Sequence, residues 1–285
     1  MKRNIIICLL LFVGAQVGKV KAQDQDLMRD MIDLISPIEV SKLIKDLNIR
    51  YDKSILNNPT KNYNDEYKRA LNLGVFSTDL GYANINEANS EMLSYLNSVK
   101  VNADKLGLGN FINSGQIMLL GADKRNLNKL LEYTSETFEA MSKELQNRDR
   151  TEVAYLMLAG GWIEMLHITC QVAVSNPGKK ELTDRIIEQQ IILAKLLQGL
   201  QRYQSNAQIM SLSGQLSQLQ AILSKYDIMN NSGSREGIQT TTEDLNGVNI
   251  VMVKERTASA DFNVSSSDLN NIANQVSRIR NQIVN

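Results

Sequence analysis

The chain has 285 residues, 43% of them apolar and 22% charged, with 31 basic and 31 acidic side chains. Such a composition builds a packed core and excludes intrinsic disorder. Balanced charge without a basic run argues against nucleic acid and anionic membrane surfaces as partners.

Lys2 and Arg3 precede an uninterrupted apolar run from Ile5 to Val13, and Val20 and Ala22 are the small residues ahead of a cut before Gln23. This pattern predicts a cleavable secretory signal over residues 1–22 and places the mature chain, residues 23–285, in the periplasm or cell envelope. The apolar run is too short to span a bilayer. Cys8 lies inside it, not at its end behind a small residue, which argues against lipidation. Removing the signal leaves 27 basic against 31 acidic residues and a single cysteine, Cys170, so no intramolecular disulfide is expected. No later stretch is expected to form a transmembrane helix.

Ser36-Pro37-Ile38-Glu39 reads as a capping box with proline at the first helical position, opening a helix that buries Leu43, Ile44 and Leu47. Asn57-Asn58-Pro59 is a loop. Residues 64–106 read as two helices broken near Asn84–Asn86 and stopped by Gly107 and Gly109. Leu127, Leu130, Leu131, Thr134, Phe138, Met141 and Leu145 mark the next helix.

Residues 151–174 are apolar nearly all round, with Glu152, Glu164 and His167 as the strongly polar exceptions, which predicts a central buried helix. Asn176-Pro177-Gly178 ends it. One helix is expected from Lys180 to Tyr203. Another follows, with Ile209, Leu212, Leu216, Leu219, Leu223 and Tyr226 as its packing seam. Residues 230–267 are rich in Asn, Ser, Thr and Gly and read as irregular, or as a hairpin of 238–242 with 248–257 across Asn246-Gly247. The chain closes on a helix over 268–284 with a stripe of Leu269, Ile272, Val276, Ile279 and Ile283. The expected fold is all-α: one domain, an antiparallel multi-helix bundle with a small hairpin near its C-terminus.

The stretches Ser36-Pro37-Ile38-Glu39-Val40, Leu73-Gly74-Val75-Phe76-Ser77-Thr78-Asp79-Leu80-Gly81-Tyr82 and Gly160-Gly161-Trp162-Ile163-Glu164 resemble a family of exported helical proteins of Gram-negative bacteria. The resemblance runs in the same order over most of the mature chain. It implies an envelope location and a helical fold. The family has no assigned activity, so no functional residue is carried over.

Three features could carry chemistry. Glu164 and His167 form a Glu-x-x-His pair on one helical face; with Asp79 they could hold one metal ion, although a single histidine rules out the paired motif of dinuclear centres. Gly74, Ser77, Thr78 and Gly81 form a small-residue stripe. Like Gly160-Gly161 on the central helix, it suits a close helix crossing that would bring Asp79 and Glu164 together. Two carboxyl groups there need a compensating donor, and His167 or Tyr82 is the expected one. The polar line Gly160, Glu164, His167 and Gln171 could line a pocket, with Tyr82 and Trp162 nearby, or reach solvent. No motif implies a cofactor. The favoured reading is a non-enzymatic envelope protein that binds a small apolar ligand or a protein partner. The alternative is an enzyme or metal-binding protein using Asp79, Glu164 and His167.

Overall fold

The computed structural model describes residues 37–123, 126–226, 239–245, 248–254 and 262–285. The signal segment and Ser36 of the expected capping box lie outside them. Helix α1, Pro37–Asp46, begins on its proline. Helix α2, Glu66–Ile85, starts on Asp65, whose side chain accepts from the Lys68 amide, satisfying one of the donors a helix start leaves open. Glu87 at φ 60° turns the chain into α3, Asn89–Lys105, and Gly107 at φ +76° ends it. A short helix absent from the sequence reading, α4 at Ser114–Gly121, is capped by Asn113. Helix α5, Leu127–Asn147, follows.

Helix α6, Thr151–Ser175, buries every residue from Val153 to Cys170. Contrary to expectation, it is long and apolar enough by length and composition to cross a membrane. However, 94% of its apolar window is covered by the protein itself, so its hydrophobicity serves the core. The single helix expected over 180–203 is two, α7 at Lys180–Glu188 and α8 at Gln190–Leu200, followed by a tight turn. The break falls at Gln189, whose amide bonds back to Ile186 while its side chain accepts from Trp162 Nε1 at 3.0 Å. Helix α9, Ala207–Leu223, buries the predicted seam through Leu223. Strands β1, Gln239–Leu245, and β2, Val248–Lys254, pair antiparallel, Gln239 opposite Lys254 and Leu245 opposite Val248; this register is longer on the first strand and shorter on the second than the spans read from the sequence. Helix α10, Ser266–Val284, starts two residues early because Ser265 accepts from the Asp268 amide at 3.0 Å and donates to its carboxylate at 2.8 Å.

The architecture is a helical bundle around α6, which packs on α1, α2, α5, α7, α8 and α10. One buried cluster runs from Val40 to Val284. The most intimate contact is α2 on α6. A Cβ on Gly160 would stand 1.9 Å from the Leu71 carbonyl oxygen, and one on Gly74 2.0 Å from that of Met157. These obstacles are backbone and cannot swing away. Thr78 closes the crossing by donating to the Gly161 carbonyl at 3.1 Å. The expected crossing is therefore present at Gly74, Gly160 and Gly161.

Gly160→Ala is expected to cost about 3 kcal/mol or more, because a single methyl must force two main chains apart. Gly214, mid-helix in α9 with open space at its Cβ, is the control: Gly214→Ala should stabilise by up to about 1 kcal/mol. Chemical denaturation of both variants checks the pair.

Candidate functional site

The crossing sets Asp79 of α2 and Glu164 of α6 side by side, both with no exposed surface. Two buried carboxylates cannot both stay charged without compensation. The compensating group is one the sequence reading did not name: Arg280 of α10 donates through Nε to Glu164 Oε2 and through a terminal nitrogen to Oε1, both at 2.8 Å. This two-pronged pair assigns the negative charge to Glu164. The same nitrogen of Arg280 reaches the Ile55 carbonyl at 3.4 Å.

Asp79 Oδ2 accepts from the Asn57 amide at 3.2 Å, whereas Oδ1 has no donor among the described residues. Burial raises the Asp79 carboxyl well above the usual range. The neighbouring Glu164 charge and a carboxyl–carboxyl hydrogen bond reinforce this, against Arg280 and the Asn57 amide. The raised Asp79 carboxyl favours its neutral, protonated form beside the Glu164 carboxylate that Arg280 holds. One arginine, one carboxylate and one carboxylic acid leave the cluster with no net charge.

Further polar groups wrap it. Asn57 Nδ2 donates to Tyr63 Oη at 3.1 Å, and Tyr95 Oη donates to the Asn57 carbonyl at 2.7 Å. Tyr63 Oη and Asn72 Nδ2 also take up the α10 carbonyls of Val284 and Ile283, so the end of α10 is tied down beside Arg280. His167 is buried, with Nδ1 3.4 Å from Ser277 Oγ of α10. Burial pulls its imidazole below the ordinary range, helped by Arg280 and opposed by Glu164 and the Ile55 carbonyl. Gln171 donates to the same Ser277 hydroxyl at 3.3 Å.

The polar line on α6 is therefore not a pocket: α2 packs on Gly160, and α10 lies over Glu164, His167 and the half-buried Gln171. The expected donors are also corrected. His167 turns to Ser277, and Tyr82 stacks on Tyr51 with ring centroids 5.2 Å apart, while Arg280 holds the carboxylate. Trp162 is fully buried on Gln189, away from this cluster. A metal on Asp79, Glu164 and His167 does not fit, because Arg280 occupies both Glu164 oxygens, and among the described residues no group of three His, Cys, Asp or Glu is placed to hold one.

The concave feature lies elsewhere. Helix α5 leans on α4 and α6 rather than on α2, leaving a cavity of about 190 Å³ between α2, α5 and α6. Leu73, Leu80, Val99, Leu130, Phe138 and Met157 supply much of its wall, and Gly74, Ser77, Thr78 and Gly81 form its α2 side. The small-residue stripe thus makes the crossing on one flank and this hollow on the other. Ser77, Thr134 and Ser135 are exposed, so the cavity opens to solvent as a cleft. Among the described residues that line it, Tyr133 alone is ionisable. Comparison with protein-family models, curated proteins and solved structures finds no match to this chain.

Because the folded-state value of Asp79 is raised, its stabilisation is complete below the ordinary carboxylate range of about 4 and is lost as pH climbs toward the folded value. Relative to Asp79→Asn, which keeps a donor to Glu164 without a titrating proton, the wild type should lose up to about 1.4 kcal/mol per pH unit. Urea unfolding of both proteins at two pH values between about 5 and 8 measures that difference; equal slopes would exclude the neutral acid.

Proposed function

We propose that this chain is an exported, non-enzymatic binding protein of the bacterial envelope that holds a small apolar molecule in the cleft between α2, α5 and α6. The observation that carries the reading is the cleft itself: about 190 Å³ of hollow with mostly apolar walls and no acidic or basic side chain among its described lining residues. Binding hollows concentrate apolar surface in this way, and an apolar cavity of about 150 Å³ suffices for one benzene ring. The leader-like residues 1–22 and the family resemblance support the envelope location.

The acid–base reading is weaker for a physical reason. Asp79 and Glu164 have no exposed surface, and Glu164 is closed by Arg280, so a substrate has no route to either. Their arrangement suits holding three helices together.

Native mass spectrometry of the chain purified from its own envelope tests the reading. The expected result is a chain beginning at Gln23 that retains one small apolar molecule, which Ser77→Phe, filling the open rim, removes while helical content is unchanged. A bare wild-type chain, or a ligand retained equally by Ser77→Phe, would overturn it.

A further inference from the structure

The polar side chains on the α2 wall of the cleft have their hydrogens committed elsewhere. Ser77 Oγ donates to the Leu73 carbonyl at 2.7 Å, Thr78 Oγ1 to the Gly161 carbonyl, and Asn84 Nδ2 to the Gly121 carbonyl and Met92 sulfur. This wall therefore gives a ligand no side-chain donor, and with no acidic or basic group among the described lining residues a charge buried against it would be penalised. Contact with the α2 wall is therefore apolar, while the hydroxyl-bearing Tyr133, Thr134, Ser135 and Thr137 line the α5 side.

The shape narrows the class further. The α2 wall extends from Leu73 to Asn84 and the α5 wall from Leu130 to Met141. Each is twelve residues of helix, whose eleven rises of about 1.5 Å span about 16 Å. A volume of about 190 Å³ spread along that length is a furrow, not a chamber, since a compact hollow of about 150 Å³ already holds a benzene ring. Met141 and Met157 face it, and methionine adapts to a mobile hydrocarbon. Ser77, Thr134 and Ser135 stand exposed at the edge, where a polar head can stay in water.

We propose that the cleft binds the unbranched aliphatic chain of a free single-chain amphiphile, such as a fatty acid or long-chain alcohol, with its head at the Ser77 rim. This rests on reading the cleft as the binding site. A fused ring system or a pair of acyl chains is larger than a hollow of about 190 Å³ can enclose, which disfavours sterols and intact two-chain phospholipids.

Isothermal titration of the mature chain with straight-chain alcohols of increasing length tests it. Affinity should rise about fourfold per methylene, the ratio that about 0.8 kcal/mol per buried methylene gives, and level off once the furrow is filled. Ser77→Phe from one wall and Thr137→Phe from the other should each weaken dodecanol binding at least about tenfold, the two variants guarding against one that misfolds. Toluene saturating the site while the alcohols do not would overturn the chain proposal and leave the apolar-ligand reading standing. Sedimentation with phosphatidylcholine vesicles without binding of any free alcohol would overturn it in favour of a membrane surface. No binding of alcohol, toluene or vesicle would overturn both readings.

Discussion

The structure depends on how closely α2 can lie on α6. At Gly160 and Gly74 the neighbouring main chain stands where a Cβ would be, at 1.9 and 2.0 Å, so the contact exists only because these residues have no side chain. Mid-helix glycine costs roughly 1 kcal/mol each relative to alanine, and the packing of two apolar helix faces offsets it. Having come this close, the helices bring Asp79 and Glu164 together with no exposed surface. From that point the charge balance is constrained: one positive group must enter and one proton must remain. Arg280 supplies the first and Asp79 keeps the second.

This explains why the last helix belongs to the core. Helix α10 returns after residues 227–261 and is fixed by Arg280 on Glu164, by Ser277 beside His167 and Gln171, and by Tyr63 and Asn72 on its final carbonyls. Removing one partner of a buried ion pair leaves an uncompensated charge and costs several kcal/mol. The polar cluster is therefore a clasp joining α2, α6 and α10. On the opposite flank the same small-residue stripe keeps α2 slim beside α5, and the cleft occupies the room it leaves. Clasp and cleft are two sides of one crossing.

Much of this was legible in the chain. The 3.6-residue stripes located the principal helices, and the paired glycines located the crossing because glycine inside good helical sequence has few other uses. The proximity of Asp79 and Glu164 followed from it. What escaped was tertiary. Arg280 stands between Val276 and Ile283 on the apolar stripe of α10, and that single charge on a core-facing line was the available signal. The break at Gln189 depends on the Trp162 indole, a partner 27 residues away that no local pattern reveals. The length of α6 suggested a core helix but not that Glu164 and His167 lie beneath α10. The cleft results from α5 leaning away from α2, which the periodicity of α5 cannot express, since its stripe looks the same whether covered or half-covered.

The proton kept by Asp79 is the most specific consequence of the crossing and can be observed directly. Selective carbon-13 labelling of aspartate, with the Asp79 side-chain carboxyl assigned through Asp79→Asn, reports its protonation by chemical shift across the pH range. A neutral Asp79 carboxyl at pH 7, deprotonating only well above the ordinary carboxylate range, is the expected result. An Asp79 carboxylate already ionised near pH 4, like an exposed one, would contradict the account.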